Sequence, residues 1–363
     1  MAGVRPRIPK NDVVPPTTRS QPAPSKPSPV PPSRSPSVSG RRLRPRAVVA
    51  AGLALIAAFA ALLALSSGKS ATATLTTFHA VVLGLVEGIT EFLPVSSTGH
   101  LVVTERLFGL GGSRQALEAL DSYAVIIQGG AILAVAWLFW RPLVGAASAL
   151  GGLLRLPGFP RTGDPADRRL AVALIVAVAP AGLVGLLAGD AVKAHLFSPG
   201  PIALAWLAGG GALLGLAGWL HRRGTAGDGA GFGLDHLTWQ HALVVGLAQA
   251  AALWPGVSRS LVTIVAGCLV GLTLSAAVEL SFLLGFLLLL AASGFELARH
   301  GGDIIATYGW VNPLVGLAVA FVSAVASIRW LLRIISGKSL AGFGWYRLAA
   351  ALLTLALLAA GRI

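Results

Sequence analysis

Residues 81–103, VVLGLVEGITEFLPVSSTGHLVV, decide the fold of this chain. As a helix, the apolar part places Glu87 and Glu91 four residues apart and therefore on one face. Pro94 is expected to end that helix, because proline has no amide hydrogen and its ring collides with the preceding turn. A short polar run follows: Ser96, Ser97, Thr98, Gly99 and His100. Two carboxylates, three hydroxyls and an imidazole thus lie within sequence compatible with hydrocarbon. Ionisable groups at membrane depth are costly and usually mark a site.

The surrounding chain is 363 residues long, 55% hydrophobic and 12% charged. Its charged fraction is about half that of an ordinary soluble domain. Several apolar runs approach the roughly 20 residues needed to cross a bilayer, so a polytopic membrane protein is expected. The one cysteine, Cys268, excludes an intramolecular disulfide and a multi-cysteine metal site, and it reads as a small buried side chain. The net charge of +14 is concentrated at one end. Residues 1–46 hold ten Lys or Arg against one acid, Asp12, and twelve of the 22 prolines. Such a basic Pro/Ser-rich tail cannot bury a core and is expected to be disordered. Its RRLRPR run (41–46) abuts a hydrophobic span, which favours a cytoplasmic, headgroup-facing role over nucleic-acid binding.

Residues 47–70 read as an extra N-terminal spanning helix, and 71–363 as the membrane-embedded domain. Within that domain, 75–108 is interrupted by Pro94 and the polar run. Each half is too short to span, which predicts a re-entrant helix pair, protected from lipid by protein or facing a wet cavity. A span at 122–140 is followed by a loop carrying Arg141, Arg155, Arg161, Arg168 and Arg169, expected to be cytoplasmic by its charge. Spans at 169–189 and 201–221 lead to Arg222 and Arg223, again inside. A second interrupted segment, 237–272, contains WPGVSRS, and spans near 274–297, 310–335 and 343–361 follow. Trp137, Trp140, Trp219, Trp310 and Trp345 fall near span ends, where tryptophan anchors helices at the interface.

The two interrupted segments repeat one another. HAVVLGLVEG (79–88) matches HALVVGLAQA (241–250), pairing His79 with His241, Gly84 with Gly246, Leu85 with Leu247 and Glu87 with Gln249. Pro94 and Pro255 fall within one residue of the same register. The loop charges make the two segments enter from opposite faces, as in inverted repeats whose broken helices build one site. The predicted fold is all-α: an inverted repeat of two re-entrant helix pairs and about six spanning helices, plus the extra N-terminal span. Its Pro94 and Pro255 turns should meet.

The second turn supplies what the first lacks. Arg259 is a permanent cation with a planar fork suited to phosphate oxygens. Ser258, Ser260 and Thr263 add hydroxyl donors, and Gly256 lets the backbone approach a ligand. Glu87 and Glu91 repel each other unless a cation is close. An oxygen-only donor set suggests Mg²⁺ or Ca²⁺ bridging to phosphate rather than zinc. Ser97 and His100, three apart, are candidates for nucleophile and base. Gln128, in an apolar span, serves either the site or helix–helix contact. Other readings stay open: the Glu pair as an ion or proton pathway, Arg259 as a structural ion pair, and His79 and His241 as interfacial or packing residues.

At these residues the sequence resembles the undecaprenyl-diphosphatase family, the bacitracin-resistance type of membrane lipid pyrophosphatase. LGLVEGITEFLPVSSTGHL (83–101) and ALWPGVSRSLVTI (252–264) carry the resemblance, with support from VIIQGGAILAV (125–135) and SFLL (281–284). It covers roughly 75–360. The resemblance implies removal of the terminal phosphate of undecaprenyl diphosphate, recycling a carrier for cell-wall synthesis and conferring bacitracin resistance. It also implies a bacterial cytoplasmic (inner) membrane location, an outward-facing active site and a divalent cation. By motif position, Glu87 and Glu91 are the acidic, metal-binding pair, with Glu91 also catalytic. Ser97 is the expected nucleophile, His100 its partner and Arg259 the phosphate clamp; a covalent phosphoserine and direct attack by water activated by His100 both stay open. Ser96, Thr98, Gln128, Gly256, Ser258, Ser260 and Thr263 are expected around the substrate. Leu261, Gly129 and Leu287 depart from the usual family pattern but remove no reacting group. The implied partners are a polyprenyl diphosphate lipid and the membrane, with no nucleic acid; a homo-oligomer stays open. A transporter or flippase of the same lipid, or an inactive paralogue, are the alternatives.

Overall fold

In the computed structural model the chain divides into two units, Met1–Ser35 and Pro36–Ile363. Residue 3 and residues 75–110, 114–160, 164–222, 231–335 and 340–363 are described, the side chains of 114–119 and 296–308 excepted. Apart from Gly3, the expected basic tail and the extra N-terminal span lie outside the described residues.

The described residues form eleven α-helices and two 3₁₀ turns. In order they are α1 Thr77–Thr90, α2 Ser97–Leu107, α3 Arg114–Leu138, α4 Trp140–Leu153, α5 Pro165–Leu196 and α6 Pro199–Arg222. There follow α7 Trp239–Ala250, α8 Arg259–Leu269, α9 Leu274–Tyr308, α10 Val311–Ile335 and α11 Ala341–Ala359. Six of them (α3, α5, α6, α9, α10 and α11) are long and apolar enough to cross a membrane. This is a multi-pass membrane protein. At 14, 11, 12 and 11 residues, helices α1, α2, α7 and α8 are too short to cross a hydrocarbon core of roughly 30 Å. They form two hairpins, α1–α2 and α7–α8.

Several boundaries differ from expectation. Helix α1 stops at Thr90, with Glu91 as its C-cap, and a turn precedes Pro94. The residue before a proline is pushed out of the helical region, so the chain leaves the helix ahead of the proline rather than at it. The segment expected to be a cytoplasmic loop contains α4. Helix α5 runs through Pro180 to Leu196, past the expected end at 189; membrane helices tolerate an internal proline where neighbours satisfy the freed carbonyl. Helix α9 continues to Tyr308, past 297.

The repeat is physical. Thr76 Oγ1 accepts from His79 N–H (3.3 Å) while His79 Nδ1 accepts from Thr76 N–H (3.2 Å), a reciprocal cap on α1. Thr238 and His241 repeat it on α7, at 3.4 Å both ways. The two histidines are therefore helix-capping residues. They also pack, His79 against Phe108 and His241 against Phe232, with ring centroids 4.9 and 5.0 Å apart. At the same spacing Ser96 corresponds to Ser258, and Gly109 to Gly271, each in left-handed backbone.

Each hairpin is held by a spanning helix of the other half: α1 packs on α10, and α7 on α5. The related glycines Gly84 and Gly246 make this possible. A methyl at Gly246 would lie 2.6 Å from the Ala177 carbonyl oxygen. Gly246→Ala is therefore expected to destabilise by about 2 kcal/mol through overpacking, read as a fall in thermal midpoint in detergent. Gly211→Ala, with nothing within 4 Å of the new methyl, should hold or slightly raise that midpoint. The repeat is also imperfect. Helices α3 and α10 pack closely, but the related pair, α5 and α9, touch at only a few points.

Candidate active site

The two turns meet, and each is tied to the other. Gly256 N–H donates to Ser96 Oγ (3.1 Å), and the Ser260 hydroxyl donates to the Leu93 carbonyl (2.7 Å). Ser96 and Ser258 are held at φ +75° and +77°. Such a backbone conformation costs a non-glycine residue on the order of 1–3 kcal/mol and persists only where its surroundings over-determine it. Both serines cap the next helix, accepting from Gly99 N–H (3.5 Å) and Leu261 N–H (3.3 Å). Ser97 and Arg259 are consequently the first residues of α2 and α8. The N-termini of these two helices border one cavity, and helix N-termini attract anions.

Glu91 joins the reactive groups. One carboxylate oxygen accepts a short hydrogen bond from Ser97 Oγ, and the other lies 3.0 Å from Arg259 Nη2. Both partners of this ion pair are less than a tenth exposed. Arg259 also donates through Nη1 to the Ser281 carbonyl (2.6 Å) and lies over the Phe92 ring, 5.5 Å from its centroid. Gly285 keeps the space beside the guanidinium clear, since a methyl there would collide with it.

Glu91, Ser96, Ser97, Thr98, Gln128, Gly256, Ser258 and Arg259 line the cavity, together with Gln249, the repeat partner of Glu87. Other expected site residues do not. Ser260 and Thr263 are fully buried. Ser260 bonds to Leu93 and Ser258, and Thr263 to the Arg259 carbonyl and Ser281 Oγ (2.8 and 2.9 Å). They brace the turn and the start of α8.

The expected Ser97–His100 pair is not formed. His100 Nδ1 lies 2.7 Å from the Ser96 carbonyl and Nε2 lies 2.8 Å from Tyr346 Oη. Its ring stacks on Tyr346 and packs against Trp206. A carbonyl can only accept, so Nδ1 carries the proton. His100 thus holds the strained serine before Ser97, while Glu91 takes the Ser97 hydroxyl. Sequence spacing placed Ser97 and His100 on one helix; it could not foresee Trp206 and Tyr346.

Arg347 went unnoticed in the sequence. It is fully buried and donates to the carbonyls of Pro94 (3.2 Å), Ala205 (3.0 Å), Gly256 (2.7 Å) and Val257 (3.3 Å). One guanidinium therefore fastens both turns. The signal was present: an arginine inside an apolar span requires polar partners.

This architecture has known relatives. The family described as "Bacitracin resistance protein BacA" matches residues 80–353. The chain belongs to the BacA family. Its relatives include an "Undecaprenyl-diphosphatase" of Sorangium cellulosum, 44% identical over 279 residues, which cover 77% of this chain and 85% of that protein. Another is the "Undecaprenyl-diphosphatase" of Methylococcus capsulatus, 40% identical over 76% of this chain and 93% of its own. A third, "Undecaprenyl-diphosphatase 2" of Rhodospirillum rubrum, is also 40% identical, with the same coverage.

The donor set of this BacA-family site suits a hard cation. Glu87 lies one helical turn from Glu91, fully buried, and neither of its oxygens has a hydrogen-bond partner among the described residues. A buried carboxylate without a partner is costly unless it is neutralised. Among the described residues no three His, Cys, Asp or Glu side chains gather as a metal cage. Of the two glutamates, Glu91 borders the cavity and Glu87 does not; these are the residues that would hold a Mg²⁺ or Ca²⁺ ion, the remaining oxygens coming from substrate phosphate and water.

Proposed function

We propose that the protein hydrolyses undecaprenyl diphosphate to undecaprenyl phosphate and inorganic phosphate. The observation that carries this is Glu91, one buried carboxylate bonded to a serine hydroxyl and a guanidinium where two helix N-termini converge. Arg259, with the α2 and α8 termini, holds the diphosphate. Glu91 takes the Ser97 proton as Oγ attacks the terminal phosphorus. The Oγ–P bond forms, the anhydride P–O bond breaks, and undecaprenyl phosphate leaves. Water then attacks the phosphoserine, its oxygen bonding to phosphorus as the Oγ–P bond breaks; Oγ recovers its proton from Glu91, and dihydrogen phosphate departs carrying the protons of the water. A cation held by Glu87 and Glu91 would offset charge on the phosphoryl oxygens.

A flippase of the same lipid would share the inverted repeat. It would have no use for a serine hydrogen-bonded to a buried carboxylate. In this reading the protein lies in the bacterial cytoplasmic membrane with its site opening outward; the positions of Arg168 and Arg169 near the start of α5, Arg222 at the end of α6 and Arg333 near the end of α10 support that orientation by the positive-inside rule.

Purified protein in detergent should release phosphate from undecaprenyl diphosphate with no membrane gradient, and chelator should suppress release until Mg²⁺ or Ca²⁺ is restored. No release under either condition would refute the enzyme reading. Release untouched by chelator would remove the cation.

His100 gives a sharper check. His100→Ala is expected to lower kcat by about 100-fold, the scale of a misplaced reacting group. His100→Asn, whose amide can still donate to the Ser96 carbonyl, should recover much of it. Equal loss in both variants would return the imidazole to the chemistry.

A further inference from the structure

The start of α7, the end of that helix away from the reactive groups, borders a second cavity of about 470 Å³. Leu153 at the end of α4, Arg168, Arg169 and Val172 of α5, and Trp239 and Gln240 of α7 line it. Trp239 is 55% exposed, Val172 40% and Leu153 39%, so the cavity is a surface groove with apolar and cationic walls. The Arg168 guanidinium makes no ion pair or hydrogen bond among the described residues, and Arg169 spends one N–H on the Asp235 carbonyl (2.9 Å). No acid lines the groove among the described residues. Asp164 caps α5, 2.8 Å from Ala166 N, the Asp235 carboxylate lies 3.2 Å from His236 Nε2, and Asp167 faces α4 at Gly145.

The repeat supplies an internal control. In the other half Thr77 stands where α7 has Trp239, and the junction is closed. Asn312 of α10 accepts from the Thr77 hydroxyl (3.1 Å) and donates to the Leu75 carbonyl (2.8 Å). Measured from the contacts of Gly84 with Gly316 and of Gly246 with Ala177, α5 starts about two helical turns further back than α10. That overhang carries Arg168 and Arg169, and with the end of α4 beside it makes the groove. None of the groove's residues lines the cavity that holds Glu91 and Arg259.

We propose that this α4–α5–α7 groove binds an anionic phospholipid, with the phosphate on Arg168 and Arg169 and an acyl chain against Leu153 and Val172. Guanidinium and phosphate pair through parallel charge-assisted hydrogen bonds. The first amides of α7, which have no acceptor within their own helix, add donors beside them. A soluble phosphate would satisfy the arginines and leave the apolar wall in water; a lipid covers both. Exposed tryptophan and arginine at helix ends sit at headgroup depth, where anionic lipids attract basic residues. The groove would bind its lipid whether or not Ser97 attacks phosphorus.

Protein purified in neutral detergent and stripped of lipid should gain about 4 °C in thermal midpoint with saturating phosphatidylglycerol. Native mass spectrometry should find a single phosphatidylglycerol retained per chain. Phosphatidylcholine with the same acyl chains, and tail-less glycerol 3-phosphate, should each give little of that shift. Arg168→Gln combined with Arg169→Gln should abolish both the shift and the retained lipid. Arg222→Gln combined with Arg333→Gln, which removes the same charge at helix ends outside the groove, should keep both. Should the first pair prove unstable without lipid, Arg168→Gln alone, at an exposed position, should weaken phosphatidylglycerol binding about fivefold, the scale of one charge-assisted contact. An equal shift with phosphatidylcholine, a full shift with glycerol 3-phosphate, or an equal loss in the Arg222 and Arg333 pair would each overturn the site. None of these measurements reads turnover, so their outcome is separate from that of the phosphate-release assay.

Discussion

Ser97→Ala is expected to lower kcat for undecaprenyl diphosphate by about ten-thousand-fold or more, with KM little changed, because it removes the atom that attacks phosphorus rather than one that binds substrate. Ser97 Oγ is the hydroxyl in the cavity wall bonded to a carboxylate. Ser96 Oγ accepts from Gly256 and Gly99, and Ser258 Oγ is tied to Ser260 and the Leu261 amide. Neither is placed to substitute. Glu91→Gln keeps the shape but loses the proton acceptor, so a loss of about a thousandfold is expected. Single-turnover phosphate release measures both. An alanine variant retaining a tenth of normal turnover would rule out Ser97 as nucleophile and leave water in that role.

Arg259→Ala should be equally severe, for two separable reasons. The substrate loses its guanidinium donor, and each such lost contact to developing charge costs about 100- to 1,000-fold in kcat. The protein also loses the countercharge of Glu91, and breaking one side of a buried ion pair costs about 3–5 kcal/mol. A double variant separates them. Arg259→Met with Glu91→Gln should regain much of the thermal stability lost by Arg259→Met alone, and none of the turnover. Arg259→Lys should remain below about one per cent of normal turnover, since an ammonium cannot keep both the Ser281 carbonyl and a phosphate fork. Full activity in the lysine variant would reduce Arg259 to a point charge.

What could be read from the chain was what local chemistry fixes. The match of 79–88 with 241–250 marked the two hairpins, and apolar length marked the six spans, while the Thr76 and Thr238 caps emerged only in the structure. The meeting of the Pro94 and Pro255 turns followed from repeat and loop charge together. What escaped depends on partners remote in sequence. His100 faces Trp206 and Tyr346, so its spacing from Ser97 was misleading. Ser260 and Thr263 resemble substrate donors by type, yet their acceptors are Leu93, Arg259 and Ser281. Helix α4 escaped because arginine-rich flanks around a modest apolar run resemble a loop.

Arg347 also sets an order of events in biogenesis. The reactive groups reside in residues 87–259, but the guanidinium that fastens both turns arrives later, with α11. Nascent chains lacking that helix would carry every reacting side chain and still be inert. A phosphatase assembled in this way stays silent until α11 has followed its two turns into the membrane.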